Sequence, residues 1–258
     1  MNATKKSSQA ASGGRARADV ALVQRGLVDS RVKAQALIMA GLVFSGEARI
    51  DKAGQMVAAA APLAVRGADH PWVGRGGLKL AAALERFQID PAGAVCLDVG
   101  ASTGGFTDVL LAHGAARVYA VDVGHGQLAW KLRTDPRVVV LERVNARHLS
   151  AEHVPQPVGL IVCDASFISL ETILPAPMAR AAPGARLIAL VKPQFEVGKG
   201  QVGKGGVVRD PVQHAAVCAR VRAWLEAQVG WRVLGLAESP VRGAEGNVEF
   251  LIAAARDG

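Results

Sequence analysis

The chain has 258 residues, a formal net charge of +8, 50% hydrophobic residues and only 4% aromatic residues. This composition predicts a globular core built mostly from Ala, Val and Leu, in one large domain or in a medium domain plus a small one. The three cysteines, Cys96, Cys163 and Cys218, are far apart and in no CxxC spacing. This pattern argues against a disulfide framework or a zinc site and predicts reduced thiols in the core.

Hydropathy and charge favour a cytoplasmic protein that meets a polyanion. No apolar run approaches the roughly 20 residues of a membrane-spanning helix, and the polar, basic start lacks the apolar region of a secretory signal. Residues 1–75 hold 11 Lys+Arg against 5 Asp+Glu, whereas residues 76–258 hold 19 against 17. A positive front of this kind suits a polyanion, although a solvated, solubilising surface has the same composition.

The front of the chain predicts a small α+β module. Residues 1–16 are rich in Ser, Ala, Gly and Lys and predict a disordered tail. Two short helices follow; the second begins at a cap supplied by Asp29 or Ser30 and ends at Gly41. Short strands are predicted at Leu42–Phe44, Ala48–Ile50 and Leu63–Val65. The module therefore covers residues 17–66, and Gly and Pro in residues 67–74 predict a linker.

From Arg75 onwards, strands and helices alternate to the end of the chain. Strands are predicted at Val95–Val99, Val118–Asp122, Val138–Leu141, Gly159–Asp164, Arg186–Val191, Trp231–Leu236 and Val248–Ala253. Helices are predicted at Leu78–Phe87, Phe106–His113, Glu171–Ala181 and Val212–Gln228. Continuous apolar strands separated by helices are typical of a parallel sheet covered on both faces. We therefore predict an α/β domain over residues 75–258 with a Rossmann-like sheet of seven strands, one of the last two antiparallel at an edge.

A loop of small residues follows the first strand of this domain, at the place where a doubly wound sheet binds a nucleotide. It runs from Gly100 to Phe106, and we call it the cofactor loop. A dinucleotide site would need glycine at Ser102. A hydrolase elbow, GxSxG, is matched literally, but the late histidine His214 lies inside a helical pattern. A tight turn without a ligand is the bland alternative.

A third interpretation of the cofactor loop is an S-adenosylmethionine site. Asp122 ends the next strand, where an acid can hold the ribose hydroxyls, and Asn145 could cap the adenine edge. The same Asp122 would suit NAD, so the loop alone does not decide.

A second motif, residues 198–204, matches GxxxxGK, but Gly205 stands where a P-loop needs Ser or Thr. We expect a mobile basic lid there.

Four ionisable residues stand inside or beside apolar segments: Lys79, Asp164, Lys192 and Glu249. Charges at such positions are unusual unless they are paired; a structural ion pair is the bland alternative. Together they suit the activation of a ribose 2′-hydroxyl, which must lose its proton as it attacks a methyl group. A lysine can accept that proton only if its pKa falls from about 10.4. We expect burial and a neighbouring cation to lower it.

The sequence resembles the TlyA family, S-adenosylmethionine-dependent 2′-O-ribose methyltransferases of ribosomal RNA whose members also carry the name haemolysin A. The resemblance covers roughly residues 17–255. Its front part is similar to the RNA-binding module named after ribosomal protein S-four, and its back part to the FtsJ-type methyltransferase fold. The strings that carry it are Arg17-Ala18-Asp19-Val20-Ala21-Leu22-Val23, Asp29-Ser30-Arg31-Val32-Lys33-Ala34-Gln35, Met39-Ala40-Gly41, Gly74-Arg75-Gly76-Gly77-Leu78-Lys79-Leu80, Gly100-Ala101-Ser102-Thr103-Gly104-Gly105-Phe106-Thr107-Asp108, Asp164-Ala165-Ser166-Phe167-Ile168-Ser169-Leu170 and Val191-Lys192-Pro193-Gln194-Phe195-Glu196-Val197-Gly198.

The resemblance implies roles for particular residues. The family's Lys-Asp-Lys-Glu catalytic set falls on Lys79, Asp164, Lys192 and Glu249, with Lys192 as the implied base and Glu245 as a competitor for the last place. The implied cofactor contacts are Gly100, Ser102, Gly104, Phe106, Asp122 and Asn145. In the front module, the candidates for phosphate contacts are Arg25, Arg31, Lys33 and Lys52.

The implied activity is methylation of a ribose 2′-hydroxyl, with cytidine as the expected nucleotide, in the RNA of ribosomal subunits. We expect a monomer. The sequence departs from the family at Ala18, at Phe44-Ser45-Gly46 and at His70, which bears on linker behaviour and on fine RNA contacts. Two other functions stay open: a ribosome-assembly factor that binds RNA without catalysis, and the membrane-lysing activity that the name haemolysin suggests.

Overall fold

The computed structural model describes residues 14–28, 30–66, 70–198, 200, 202–203 and 205–258. Their contacts divide the chain into two units, residues 1–69 and residues 70–258. The elements of the first unit are β1 (Arg15–Arg17), α1 (Ala18–Gln24), α2 (Arg31–Met39), β2 (Val43–Ser45), β3 (Ala48–Arg49), β4 (Met56–Ala58) and β5 (Leu63–Val65). β1 pairs with β4, and β2 lies between β3 and β5. The predicted mixture of helices and short strands is therefore present in this unit.

Local signals account for most of the first unit. The Ser30 hydroxyl accepts the N–H of Lys33 at 3.2 Å, so Ser30 is the cap of α2; Asp29 lies outside the described residues. Gly41 follows α2 with φ +75°, as predicted. The boundary of the disordered tail was wrong by three residues, because residues 15 and 16 pair with β4 and the Gly14 carbonyl accepts the Ala59 N–H. The rest of that prediction, residues 1–13, lies outside the described ranges.

One buried carboxylate organises the first unit. Asp19 has no exposed surface and lies 3.0 Å from Arg17 Nε and 2.9 Å from Arg31 Nη2. Gln35 donates a third hydrogen bond at 3.0 Å. The hydrogen bond from Arg17 is the largest cause that holds the Asp19 pKa well below its usual range. A buried charge is tolerated only when it is paired in this way, so Asp19 joins β1 and α1 to α2.

The second unit contains the larger sheet. Its elements are α3 (Gly76–Phe87), β6 (Val95–Val99), α4 (Gly105–Ala112), β7 (Arg117–Asp122), α5 (Trp130–Arg133), β8 (Val138–Glu142), β9 (Val158–Cys163), α6 (Leu170–Ile173), α7 (Pro175–Met178), β10 (Ala181–Val191), α8 (Pro193–Glu196), α9 (Pro211–Glu226), β11 (Trp231–Glu238) and β12 (Phe250–Arg256). Within the described part of the chain, seven strands form one sheet in the order β11-β12-β10-β9-β6-β7-β8. The strands from β10 to β8 are parallel, and β12 is antiparallel to both neighbours. The predicted α/β fold and antiparallel edge are confirmed.

The central strands are apolar throughout because both of their faces are buried. In β9, Ile161 and Cys163 join the hydrophobic cluster on one face, whereas Leu160 and Val162 join the cluster on the other. This alternation is the reason that the sequence shows a continuous apolar run rather than a period of two. All three cysteines are free and buried, as predicted, and burial raises the pKa of Cys163 to about 12.

Two predictions for the second unit were wrong. The helix predicted at Glu171–Ala181 is two short helices, α6 and α7, and Ala181 already belongs to β10. The prolines at 175 and 177 lack the N–H that a continuous helix would need.

Part of the linker prediction also fails. Trp72 packs so closely on Gly77 that a Cβ there would overlap it, and Val73 N–H donates to Asp108 at 2.8 Å. Residues 67–69 lie outside the described residues.

Gly100 joins β6 to the cofactor loop in a conformation that favours glycine. Its φ is +84°, and a Cβ would lie 3.0 Å from backbone atoms of Ala165. These atoms belong to the segment that follows β9, so the close approach fixes the distance between two strand ends. A side chain would have to push backbone apart rather than displace a flexible group.

We therefore predict that Gly100→Ala lowers the free energy of unfolding by about 2 to 4 kcal/mol, from left-handed strain plus the collision with backbone. The matched control is Gly230→Ala, because Gly230 has φ +75° with nothing near its Cβ position. This control should cost only about 1 kcal/mol. Urea unfolding of both variants measures the difference. Equal losses would contradict the importance of the close approach.

Candidate active site

A cavity opens at the carboxyl edge of the parallel strands. It has a volume of about 530 Å³, within the range of roughly 300–1,000 Å³ that is usual for small-molecule sites. Residues that follow β6, β7, β8 and β9 line it, among them Gly100, Asp122, Asn145, Asp164, Ser166 and Phe167. This is the edge at which an open α/β sheet binds its ligands.

Asp122 is held rigidly at this cavity. One of its carboxylate oxygens accepts the Ser102 N–H at 2.8 Å, and the other accepts the Gly124 N–H at 2.7 Å. Asn145 also has a fixed side chain, because its Oδ1 accepts the Arg147 N–H at 3.1 Å and caps a short 3₁₀ turn. Each Asp122 oxygen has a second lone pair, so Asp122 can still accept hydrogen bonds from a ligand. Asn145 Oδ1 also accepts the Arg147 Nε–H at 3.4 Å, so Asn145 offers a ligand its amide N–H₂ donors.

The six predicted cofactor residues divide into two groups. Gly100, Asp122 and Asn145 line the cavity, whereas Ser102, Gly104 and Phe106 do not belong to its lining. Those three residues shape the cofactor loop instead. A Cβ at Gly104 would overlap the Leu132 side chain, and Phe106 is buried in the core. Their assignment as direct cofactor contacts stays a prediction.

Asp98, at the end of β6, is fully buried beneath the cofactor loop. Thr107 Oγ1 donates to it at 2.7 Å. Burial, opposed by this hydrogen bond, raises the Asp98 pKa to about 7. The pair joins the strand to the start of α4, the helix that the loop opens.

The four predicted catalytic residues form two buried ion pairs. Lys79 Nζ lies 2.5 Å from Glu249 Oε2, and Lys192 Nζ lies 2.6 Å from Asp164 Oδ1. The two pairs also influence each other. The charge of Lys79 lowers the pKa of Asp164, and the charge of Glu249 raises the pKa of Lys192. We call the four residues the Lys–Asp–Lys–Glu cluster. Asp164 lines the cavity, so the cluster borders the candidate cofactor site.

The protonation of the cluster differs from the expectation. Burial opposes the charged form of Lys192, but Asp164 and Glu249 outweigh it, and the Lys192 pKa is raised. Burial likewise opposes the charge of Asp164, but Lys192 and Lys79 hold its pKa below the ordinary value. The expected fall in the lysine pKa was therefore wrong for this arrangement: Lys192 is an ammonium and Asp164 a carboxylate.

Glu249, rather than Glu245, completes the cluster. Gly243 faces the Glu249 carboxylate so closely that a Cβ at this position would overlap it. The loop between β11 and β12 thus makes room for Glu249 beside Lys79. Glu245 is exposed in a turn of the same loop, with φ +55°.

Two residues beside the cluster were not singled out from the sequence. Ser166 Oγ accepts a hydrogen bond from Lys192 Nζ at 3.0 Å. Phe167 is 89% exposed with φ +65°, and its ring centre lies 4.8 Å from that of Phe195. Both lie within three residues of Asp164, and an aromatic residue four positions after the end of β9 was the available signal.

The competing motifs receive little support. Ser102 Oγ contacts Gln127 at 3.4 Å, and His214 Nε2 contacts the Val208 carbonyl at 2.9 Å, so these two do not form a hydrolase pair. In the second motif, Lys199, Gln201 and Lys204 lie outside the described residues, and the mobile lid stays a prediction.

The predicted RNA contacts have mixed environments. The Arg25 guanidinium donates to the carbonyls of Ala58, Ala59 and Ala61, and Arg31 pairs with Asp19. Both guanidinium groups therefore help to hold the first unit together, a role that the sequence did not reveal. Lys33 and Lys52 are exposed. All four stay predictions.

The described ranges contain neither a metal-binding cluster nor a membrane-spanning helix. No group of three or more His, Cys, Asp or Glu residues is arranged to hold a metal ion there. None of the helices in those ranges is both long and apolar enough to cross a membrane.

Comparison with known proteins gives concordant results. The model of the FtsJ-like methyltransferase family matches residues 72–256. The 16S/23S rRNA (cytidine-2′-O)-methyltransferase TlyA of Mycobacterium tuberculosis is 52% identical over 239 residues, which cover 92% of this chain and 89% of that protein. Hemolysin A of Brachyspira hyodysenteriae is 38% identical, covering 91% of this chain and 98% of that protein.

A solved structure of a hemolysin-named protein from Streptococcus thermophilus superposes with a TM-score of 0.73 at 41% identity, covering 94% of this chain and 89% of that one. The predicted family resemblance is confirmed. With the family model spanning most of the chain and close relatives matching nearly all of it, the chain belongs to the FtsJ-like methyltransferases, in their TlyA group.

Proposed function

We propose that this protein transfers a methyl group from S-adenosylmethionine to the ribose 2′-hydroxyl of a cytidine in ribosomal RNA, acting as a monomer in the cytoplasm. The observation that carries the proposal is the Lys–Asp–Lys–Glu cluster beside a cavity whose lining includes Asp122. The activity named for the Mycobacterium tuberculosis relative supports the choice of nucleotide and atom.

The cavity has the donors and acceptors that S-adenosylmethionine needs. The cofactor supplies a methyl group on a positively charged sulfur, which a nucleophile attacks in line. Asp122 is the proposed acceptor for the ribose hydroxyls, and its two backbone hydrogen bonds keep both carboxylate oxygens in place. Asn145 would cap the adenine edge, and Gly100 lets backbone approach the ligand closely.

The cluster acts on the attacking hydroxyl. A ribose 2′-hydroxyl is a weak nucleophile near neutral pH, so it must be oriented and must lose its proton during attack. Lys192 is the proposed acceptor of that proton, and Asp164 holds its Nζ at the border of the cavity. Because Lys192 is an ammonium in this arrangement, it must release a proton before it can accept one. Orientation of the reacting groups can supply roughly 7–11 kcal/mol of the acceleration.

The other groups serve binding. The exposed ring of Phe167 at the cavity offers a flat surface on which an unstacked base can lie. The small unit, with Lys33 and Lys52 exposed and Arg25 and Arg31 partly committed to internal partners, is the proposed RNA-binding module. Each phosphate that it neutralises should add nearly one unit to the log–log salt slope.

The first test is transfer of labelled methyl to isolated small and large ribosomal subunits from a host that lacks this activity. We expect label in the RNA, within a nuclease-resistant dinucleotide that identifies 2′-O-methylation. Lys192→Ala should lower the rate roughly a hundredfold or more, because a positioned acid–base group contributes at least that much. The control Arg222→Ala, which removes only an exposed pair with Glu226, should keep the wild-type rate.

A full rate with Lys192→Ala would remove Lys192 as the base and leave the enzyme class intact. The opposite case is a protein that binds S-adenosylmethionine but labels neither subunit. That result would favour the non-catalytic assembly factor.

The pH dependence tests the protonation state of Lys192. Its pKa is raised, so the amine form is scarce at neutral pH. As long as the pH stays below that pKa, each increase of one pH unit raises the amine fraction tenfold. We expect log kcat at saturating substrates to rise with a slope of about one from about pH 6.5 to about pH 9. A rate that is flat across this interval would show that the proton does not pass to Lys192.

The cofactor role of Asp122 is tested by Asp122→Asn, which keeps the size of the side chain and removes its charge. The loss of a charged acceptor should weaken S-adenosylmethionine binding roughly tenfold to a hundredfold, as measured by calorimetry. Asp90→Asn is the control, because Asp90 is exposed and accepts only the N–H of Ala92. Unchanged cofactor affinity in Asp122→Asn would contradict the assignment.

A further inference from the structure

Ser166 lies where the Lys–Asp–Lys–Glu cluster meets the cavity. Its Oγ is 3.0 Å from Lys192 Nζ, and the residue is both exposed and part of the cavity lining. It is therefore a neutral group that touches the proposed base from the side on which a substrate would arrive.

The ammonium of Lys192 has three hydrogens, and the described residues place three oxygens within reach of Nζ. They are Asp164 Oδ1 at 2.6 Å, Ser166 Oγ at 3.0 Å and the Asp164 carbonyl at 3.2 Å. Two of these contacts are hydrogen bonds, to Ser166 Oγ and to the Asp164 carbonyl, and the contact with Asp164 Oδ1 is an ion pair. Of the three oxygens, only Ser166 Oγ belongs to an exposed residue of the cavity lining, so it occupies the place beside Nζ that a substrate hydroxyl would take.

The three contacts differ in how readily they can open. The Asp164 carboxylate carries a full charge and is largely enclosed, so separating its ion pair with Lys192 is costly. The Asp164 carbonyl is fixed by the backbone. The Ser166 hydroxyl is neutral, turns about a single bond, and belongs to an exposed residue. It is the contact that costs least to exchange.

We propose, on the basis of the proposed function, that Ser166 is a positioning residue that holds Lys192 Nζ in the place where the substrate's 2′-hydroxyl displaces the Ser166 hydroxyl and then donates its proton to the Lys192 amine. Until that exchange, Ser166 keeps Nζ directed at the cavity. A serine hydroxyl suits this task because it has nearly the size and hydrogen-bonding capacity of the ribose hydroxyl that replaces it.

Four other charged or titratable groups belong to the surroundings of Lys192. Asp164 after β9 and Glu249 before β12 carry negative charge, Lys79 of α3 carries positive charge, and the thiol of Cys163 lies beneath. None of them changes when the Ser166 hydroxyl is removed. A hydrogen bond from the ammonium to an oxygen favours the charged form, so its loss lowers the pKa of Lys192.

The experiment has two readouts for wild type, Ser166→Ala and Ser166→Thr: the kcat and KM of methyl transfer to ribosomal subunits, and the pKa of Lys192, followed directly by NMR of protein labelled at the lysine Cε carbons. For Ser166→Ala we expect the pKa of Lys192 to fall by roughly one unit. We also expect kcat divided by the fraction of Lys192 present as amine to fall on the order of tenfold, with KM for the subunits unchanged, because the amine is less well placed. Ser166→Thr, which keeps the hydroxyl, should restore both.

Ser169→Ala is the matched control, because its hydroxyl lies in the same loop but contacts Thr172 at 2.8 Å rather than Lys192. It should match wild type in both readouts. A Ser166→Ala variant with the wild-type Lys192 pKa and the wild-type kcat per amine would overturn the inference alone. So would a fall in kcat without the fall in the Lys192 pKa, or a fall in that pKa that threonine does not correct. If wild type labels no ribosomal RNA, the proposed function fails, and the inference fails with it.

Discussion

The ion pair between Lys192 and Asp164 is the contact on which the candidate site depends. Register places Ala189 of β10 beside Cys163 of β9, so the two charged residues follow neighbouring parallel strands and emerge at the same edge. Both are largely enclosed, and an enclosed charge without a partner is strongly destabilising. The pairing therefore fixes where both strands end and which way their side chains point, and the cavity is built around that point.

Small residues make this concentration of charge possible. Gly100 lets β6 approach the segment that follows β9. Gly243 has no Cβ, and the Glu249 carboxylate occupies the space where one would lie. Asp98 lies under the same loop and has a raised pKa, so near neutral pH much of it adds no further negative charge to the cluster. The scaffold thus accommodates the Lys–Asp–Lys–Glu cluster by removing bulk at two places and by reducing the negative charge at a third.

Features set by local chemistry could be predicted from the sequence. Apolar runs with helices between them indicated the parallel sheet, and the order of the strand-end residues indicated that Asp164 and Lys192 share an edge. Features set by distant partners could not be predicted. The commitment of Arg25 to three carbonyls depends on how residues 58–61 fold back, and the exposure of Phe167 depends on a left-handed residue after a strand. The direction of the Lys192 pKa depends on a balance between burial and two carboxylates, which spacing along the chain does not give.

This balance bears on how the cluster would accelerate methyl transfer. A lysine of ordinary pKa already needs about 4 kcal/mol to lose its proton near pH 7.5, and the raised pKa of Lys192 adds to that cost. Orientation of the reactants can contribute roughly 7–11 kcal/mol, which is larger. On these magnitudes, holding the base rigidly in position lowers the barrier by more than the raised pKa of the base increases it. The carboxylate that opposes deprotonation is the same group that directs the amine, so the pairing favours position over basicity.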